Sequence, residues 1–304
     1  MSGPTRVGLP ASYGDVTSEY RAARSEMGAV VGLYELVWFD GDDAVSFLES
    51  LISQNVAAQE PGTVRRSLLL GPRGKIVAVM WVLRDEDRVG LLTDTGYGAV
   101  VAETLSRYRI RVKVNIEPES RHLTTLVGPD SPDVEGWSDD GVLVADLPLA
   151  GNRRSITTDP PDVTSVGGLA WRAVRVEAGE PLMGVDIDEG TIPQESGLVP
   201  ASVDFTKGCF LGQELVARID SRGRVNQRLM GVMVTTNIIP PTGAEVVADD
   251  KVVGSLTSPA ESLTLRSPVA LSVIRREVEA GTAVTVRWEG GEAPAVVADL
   301  PMVG

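Results

Sequence analysis

The sequence predicts an α+β fold that ends in a small β-barrel. Helical and hairpin patterns alternate through residues 1–228 without the regular strand-helix-strand order of a doubly wound sheet. Six short strand-like segments follow, separated by turns and without a long amphipathic helix. A chain of 304 residues also exceeds the size at which one hydrophobic core usually stops growing. We therefore expect residues 1–228 to form two subdomains with mixed or antiparallel sheets, and residues 229–304 to form the barrel.

Apolar spacing defines the elements of the first part. We expect helices over residues 17–26, 44–52 and 97–108, and strands at 63–70, 75–83 and 88–94. The segment GPRG joins the first two of these strands, and Gly74 within it is the expected positive-φ residue of a tight turn.

Short β-like segments define the second part. They are LMGVMVTT, PPTGAEVVADD, KVVGSLTS, PVALSVI, GTAVTVRW and APAVVADLP, which lie within residues 229–301. Glycines mark several of the turns between them, as in a small barrel or sandwich.

Charge and composition exclude several classes of protein. The 42 acidic and 28 basic residues give a formal net charge of -14, which argues against a nucleic-acid partner. The basic residues clustered between Lys207 and Arg228 indicate either a salt-bridged helix face or a binding site for a small anion. No apolar run reaches about 18 residues and no secretory signal is visible, so we expect a cytoplasmic protein without a membrane partner. One cysteine and one histidine cannot form an all-Cys/His zinc site, and we expect no metal.

An acidic loop is the first candidate for a functional site. It reads RVEAGEPLMGVDIDEGTIPQES and contains Asp186 and Glu195 among glycines and prolines. One interpretation is an exposed acidic loop. The other is a buried carboxylate that accepts two adjacent N–H donors of a flat heterocycle as a bidentate pair. Pro193 restricts the backbone just before Glu195 and would help to aim its carboxylate inward.

The only cysteine, Cys209, lies in the segment KGCFLGQELVAR. We predict a helix that begins close to Phe210, is capped by Asp204 or Thr206 and runs to the end of this segment. Cys209 would then lie at the helix N-terminus, where free N–H groups, the helix dipole and Lys207 favour a reactive thiolate. The alternative is a small buried hydrophobic side chain, because free cysteine is among the most buried residue types.

These two stretches resemble a known family. KGCFLGQELVAR with the following SRGRVNQRL is similar to the signature of the YgfZ family, folate-binding proteins linked to iron-sulfur cluster maintenance. RVEAGEPLMGVDID and the triplet PQE resemble the wider superfamily of the glycine cleavage T-protein, an aminomethyltransferase that uses tetrahydrofolate. YGDVTSEYRAAR, LISQNV, GSLTSPA and VVADLP fit the same superfamily. The resemblance implies a three-part cloverleaf around a central folate site that the C-terminal barrel closes.

The resemblance also implies which residues bind the cofactor, tetrahydrofolate or a one-carbon derivative. Glu195 occupies the position of the carboxylate that binds the pterin ring. Asp186, Gln213 and Arg228 are the other residues expected in the folate site. The anionic glutamate tail of a folate needs a cation, and Arg222, Arg224 and Arg228 are the nearest to the motif; we expect Arg228, because it lies at the seam where the barrel begins. Cys209 is the expected reactive residue.

The resemblance is incomplete in the strand after GPRG. Aminomethyltransferases have an aspartate pair there, one of which is catalytic, whereas this chain has Ala78 and Val79. Alkyl groups can neither accept a proton nor stabilise a developing positive charge, so glycine-cleavage chemistry is not expected.

Three functions remain open on the sequence. The first is a tetrahydrofolate-binding accessory protein for iron-sulfur cluster assembly or repair, in which Cys209, with Lys207, carries the chemistry and client or assembly proteins are partners. The second is a folate-dependent one-carbon transferase or demethylase that uses other acids. The third is a folate-binding sensor or docking module without chemistry of its own.

Overall fold

The computed structural model describes residues 9–32, 34–119 and 121–303. The helices are α1 (Val16–Ser25), α2 (Ala44–Glu49), α3 (Gly98–Ser106), α4 (Gly168–Glu177), α5 (Val199–Ser202) and α6 (Gln213–Arg222), and Pro193–Glu195 forms a 3-10 turn. The strands that precede α4 are β1 (Gly28–Val31), β2 (Tyr34–Asp40), β3 (Val64–Leu70), β4 (Ile76–Arg84), β5 (Arg88–Asp94), β6 (Asn115–Glu119), β7 (Thr124–Val127), β8 (Trp137–Asp139), β9 (Leu143–Asp146), β10 (Arg154–Thr157) and β11 (Thr164–Ser165). The strands that follow α6 are β12 (Gln227–Val234), β13 (Glu245–Ala248), β14 (Lys251–Ser262), β15 (Ser267–Arg275), β16 (Ala283–Trp288) and β17 (Gly291–Ala298).

The first sheet is antiparallel, with the order β3-β4-β5-β2-β6. Side chains of β4 alternate between its two faces. Ala78 and Met80 pack in a hydrophobic core with helices α2 and α3. Trp81 and its cross-strand partner Arg66 lie on the opposite face, which is turned toward the second sheet.

The second sheet has the order β11-β1-β7-β10-β9-β8 and contains one parallel pair, β1 with β11. The two sheets share a hydrophobic core in which the rings of Trp38 and Trp137 lie 5.5 Å apart. The expectation of mixed and antiparallel sheets is therefore confirmed.

The third part is a closed barrel in the order β12-β15-β14-β13-β16-β17. Met230 and Val232 of β12 point into its hydrophobic interior, whereas Leu229 and Met233 of the same strand pack outward against the core around α4. The α+β class and the C-terminal barrel are confirmed. The barrel begins at Gln227, while the independence of residues 1–228 as a domain stays a prediction.

Helix α2 ends earlier than the apolar spacing predicts. The expected helix ran to residue 52, but α2 ends at Glu49. Ile52 instead forms an isolated β-bridge with Leu69 of β3, and the carbonyls of Glu49 and Ile52 accept hydrogen bonds from Lys207. The β-bridge of Ile52 and the hydrogen bonds from Lys207 therefore take the place of the last helical turn. The predicted positive φ of Gly74 is confirmed, at 65°.

The C-terminal segment returns from the barrel to helix α4. The backbone N–H groups of Met302 and Val303 both donate to the carbonyl of Glu177, at 2.7 and 3.3 Å. Leu300 packs so closely on Gly179 that a β-carbon there would lie 2.7 Å from it. The end of α4 is thus covered by residues that follow the last barrel strand. Among the described residues, no helix is both long and apolar enough to span a bilayer.

Candidate functional site

A cavity of about 890 Å³ lies between the acidic loop and the outer surface of the barrel. Residues 184–195 supply one wall and strands β13, β14 and β15 supply the other. Two predicted site residues, Asp186 and Glu195, line it, and Gln227 and Arg275 line it from the barrel side. The cavity is within the size range of small-molecule sites, about 300 to 1,000 Å³.

Glu195 is held in this cavity by a short 3-10 turn. It is buried, and its Oε2 accepts long hydrogen bonds from the Ile192 backbone N–H (3.3 Å) and from Gln227 Nε2 (3.4 Å). The neighbouring Gln194 donates to the carbonyl of Val216, which ties the turn to α6. A carboxylate has about four acceptor positions, so these two bonds leave Glu195 the capacity to accept donors from a ligand.

Asp186 lines the same cavity but already accepts four hydrogen bonds. Its donors are Arg175 Nη1 (2.6 Å), the Leu182 backbone N–H (3.0 Å), Thr257 Oγ1 (2.5 Å) and Ser258 Oγ (2.6 Å). Arg175 also donates to Ser258 Oγ and to the carbonyl of residue 180. These bonds join the acidic loop to barrel strand β14. Asp186 therefore holds the acidic loop, which forms one wall of the cavity, against strand β14.

A second buried charge network lies where the acidic loop begins. Glu180 Oε1 accepts hydrogen bonds from Arg66 of β3 and from Arg154 of β10, the latter at 3.1 Å. Both guanidinium groups also lie over the ring of Trp81, at 4.4 and 5.5 Å. Burial alone would raise the pKa of Glu180, but the charges and hydrogen bonds of Arg66 and Arg154 outweigh burial and lower that pKa to about 2. Glu180 therefore links both sheets to the loop that carries Glu195.

The predicted helix at Cys209 begins later than expected. Helix α6 starts at Gln213, after Gly212 in the left-handed conformation with φ 78°. A β-carbon on Gly212 would lie 2.8 Å from the carbonyl oxygen of Gly71, so the chain passes tightly over the β3–β4 turn before it can become helical. Cys209 is exposed and precedes the helix by four residues. Its predicted position at the helix N-terminus is wrong, and so is the alternative that it is buried.

Asp204 and Thr206, the predicted caps of this helix, form a local turn and do not cap α6. Asp204 Oδ1 accepts hydrogen bonds from the backbone N–H and the hydroxyl of Thr206, at 2.7 and 2.6 Å. This turn lies well before α6, and Gly212 is the N-cap residue. Glu214 and Arg218 do form an ion pair one turn apart, on the exposed face of α6.

Lys207 has a structural role that sequence reasoning missed. Its buried ammonium group donates to three backbone carbonyls, those of Glu49 (2.6 Å), Ile52 (2.9 Å) and Gln54 (2.7 Å). The Glu49 carboxylate lies 3.3 Å from it. Burial lowers the pKa of Lys207, and Glu49 partly offsets this effect. The ammonium group of Lys207 therefore binds the loop after α2, and its expected help in favouring a thiolate at Cys209 stays a prediction.

Gln213 and Arg228 do not line the cavity. Gln213 Oε1 accepts a hydrogen bond from the Phe210 backbone N–H (3.3 Å) at the start of α6. Arg228 pairs with Ile274 across β12 and β15, on the face turned to the barrel interior. Its buried Nε has no hydrogen-bond partner in the described structure. The cation that lines the cavity is Arg275, which no sequence motif indicated because it lies on a different strand.

Residues 227–303 match the family model of the glycine cleavage T-protein C-terminal barrel domain. The aminomethyltransferase of Nostoc sp. is 27% identical to this chain over 96% of it and 89% of the relative. The aminomethyltransferase of Corynebacterium aurimucosum is 26% identical over 96% of this chain and 91% of the relative. The crystal structure of glycine cleavage system aminomethyltransferase T from Bartonella henselae superposes with a TM-score of 0.87 at 21% identity, covering 97% of this chain and 91% of that one.

This chain therefore has the fold of the glycine cleavage T-protein, and the matches support a place in that superfamily. The predicted cloverleaf of this type, with its C-terminal barrel, is confirmed. The relatives cited above carry the name aminomethyltransferase, so the narrower assignment to the YgfZ family stays a prediction.

Proposed function

We propose that this protein binds tetrahydrofolate or a one-carbon derivative of it in the cavity that Glu195 lines. The observation that carries this proposal is a buried carboxylate, with acceptor capacity left, in a cavity of about 890 Å³. A pterin ring presents adjacent N–H donors, and one carboxylate accepts two of them with the geometry of a bidentate pair. The folate would supply the one-carbon chemistry, while Glu195 and Gln227 bind and orient its ring.

We further propose that the bound folate serves an accessory role in iron-sulfur cluster assembly or repair. Cys209 is exposed, so a partner protein can reach its sulfur. A single cysteine cannot supply the four thiolates that usually hold an iron-sulfur cluster. Any thiol or cluster chemistry at Cys209 therefore involves a partner.

A tetrahydrofolate-dependent aminomethyltransferase or demethylase is the second candidate, favoured by the names of the relatives that match along 96% of the chain. Ala78 and Val79 supply no proton acceptor, so such an enzyme would need another carboxylate. Leu92 of β5 pairs with Trp81 of β4. Alternate residues of a strand face the same side, so Asp94, two residues after Leu92, lies on the same sheet face as Val79, two residues before Trp81.

Glu195→Gln tests the binding site. The substitution keeps the shape of the side chain but removes its charge, and hydrogen bonds to charged groups are worth about 1.5 to 3 kcal/mol. We expect tetrahydrofolate affinity, measured by calorimetry, to fall by about 2 kcal/mol, or roughly 30-fold. Glu189→Gln, an exposed carboxylate of the same loop outside the cavity lining, is the control and should bind like the unaltered protein. Equal affinity in all three proteins would refute the assignment of Glu195.

Turnover separates the two candidate functions. Protein that binds tetrahydrofolate should be mixed with it and a methylamine donor. Binding without turnover supports the accessory role, and catalytic turnover establishes the second candidate.

Cys209→Ala tests the proposed role of the thiol. The side chain is exposed, so we expect folding stability within about 0.5 kcal/mol of the unaltered protein. Folate affinity should also stay the same, because Cys209 does not line the cavity. Activity of iron-sulfur enzymes in cells that depend on this protein should be lost. Full complementation by Cys209→Ala would remove the thiol from the proposed function.

A further inference from the structure

A second, smaller cavity lies between helices α1 and α4 and the barrel. Its volume is about 430 Å³, which is within the size range of small-molecule sites. Val16 and Tyr20 line it from α1, and Leu169 and Ala173 line it from α4. Because residues four apart share a helix face, each helix turns one face into the cavity. The two cavities share no lining residue, so this one is separate from the cavity that Glu195 lines.

The lining of the second cavity is mostly apolar. Val16, Leu169 and Ile239 line it and are large apolar side chains that are exposed to solvent. Ala170 and Ala173 are buried and line it with short side chains. An apolar group that enters the cavity would remove its own surface and these exposed side chains from water, which is favourable.

Two opposite charges line the same cavity. Arg172 belongs to α4 and Glu261 belongs to β14, which packs against α4. Both residues are exposed. Within residues 9–32, 34–119 and 121–303, the side chain of neither one forms an ion pair or a hydrogen bond. The cavity therefore offers a guanidinium group for a carboxylate and a carboxylate for an ammonium group.

We propose that the second cavity binds an apolar α-amino acid. The ligand side chain lies among the apolar residues, its carboxylate binds Arg172 and its ammonium group binds Glu261. A fatty acid would leave Glu261 without a counter-charge, and an apolar amine would do the same to Arg172, whereas a zwitterion pairs with both. An amino acid with a polar side chain would lose the hydration of that group without gaining hydrogen bonds. This site does not depend on folate binding at Glu195.

Ligand analogues test the chemistry of the site. Titrations of the full chain, followed by ligand-detected NMR, would compare L-norleucine with hexanoate, which lacks the ammonium group, and with pentylamine, which lacks the carboxylate. We expect norleucine to bind about two- to fivefold more tightly than either analogue, the range for exposed charge pairs. Norvaline, which is one methylene shorter, should bind about fourfold more weakly than norleucine.

Two results with these ligands would overturn the proposal. One is the absence of saturable norleucine binding up to about 10 mM. The other is hexanoate or pentylamine binding as tightly as norleucine, because the second charge of the ligand would then contribute nothing.

Ile239→Ser tests the position of the site. Ile239 is 48% exposed and lines the cavity, whereas its neighbour Ile238 is 53% exposed and does not line it. We expect Ile239→Ser to bind norleucine at least about fourfold more weakly, and Ile238→Ser to bind it as the unaltered protein does. Both residues are exposed, so urea unfolding should give nearly the same midpoint for all three proteins. Equal affinity in the two variants would contradict the site.

Arg172→Gln and Glu261→Gln test which charge binds which group. Arg172→Gln should weaken norleucine and hexanoate by about two- to fivefold and leave pentylamine unchanged. Glu261→Gln should weaken norleucine and pentylamine to a similar extent without weakening hexanoate. If either variant weakens all three ligands equally, or weakens none of them, the assignment of the two charges is wrong.

Discussion

Lys207→Met should cost about 3 to 5 kcal/mol of folding free energy, the scale for removing one partner of a buried charge pair. The substitution keeps a long side chain but leaves three backbone carbonyls without their donor and Glu49 without its counter-ion. Urea unfolding followed by circular dichroism would measure the loss, provided that the slope of the transition is unchanged.

Lys251→Met is the control, because Lys251 is exposed on barrel strand β14. It should change stability by no more than about 0.5 kcal/mol. A loss below about 1 kcal/mol in Lys207→Met, together with slower alkylation of Cys209, would contradict the structural role. That result would favour the expectation that Lys207 helps to activate the thiol.

Glu180→Gln should lower the free energy of unfolding by about 3 kcal/mol at pH 7, and this loss should become smaller as the pH falls. The pKa of Glu180 is about 2 in the folded protein and has an ordinary value of 4.5. A carboxylate whose pKa is lowered by folding contributes its full stabilisation above the ordinary value and loses it as pH falls toward the folded value. A difference of about 2.5 pKa units corresponds to roughly 3 kcal/mol.

Unfolding free energies of Glu180→Gln and the unaltered protein should therefore differ most above about pH 4.5 and converge between about pH 4.5 and 2. Glu279→Gln, at an exposed residue, should show no such pH-dependent difference. A stability gap that stays constant from pH 7 to pH 3 would show that Glu180 acts through packing and not through its charge.

Much of the fold could be predicted from the sequence because local patterns decide it. Alternating apolar residues and turn glycines predicted the barrel strands, and the predicted helix at residues 17–26 differs from α1 by one residue at each end. The errors arose where tertiary contacts override local preference. Ile52 lies outside α2 because it pairs with Leu69 of β3. Helix α6 begins only after Gly212, because the chain first passes closely over the β3–β4 turn.

The candidate site was predictable only in part, for the same reason. The acidic loop is continuous in sequence, so Asp186 and Glu195 could be expected to lie close together, and they line one cavity. Arg275 enters that cavity through the register of β12 and β15, which no local pattern reveals. The position of Arg228 at the seam where the barrel begins favours it as a site residue, but strand alternation turns it toward the barrel interior.

The return of the C-terminal segment to α4 has a consequence for biosynthesis. The carbonyl of Glu177 accepts a hydrogen bond from the backbone N–H of Met302, a residue that the ribosome adds about 125 residues after Glu177. At about 5 to 20 residues per second, this interval lasts roughly 6 to 25 s. Helix α1 and strands β1 and β7 precede α4 and supply part of its apolar surroundings, but the side of α4 that packs on β14 and β15 has no partner until those barrel strands are made. This face is where we expect chaperones to bind newly made protein, and where slow or interrupted translation would favour aggregation.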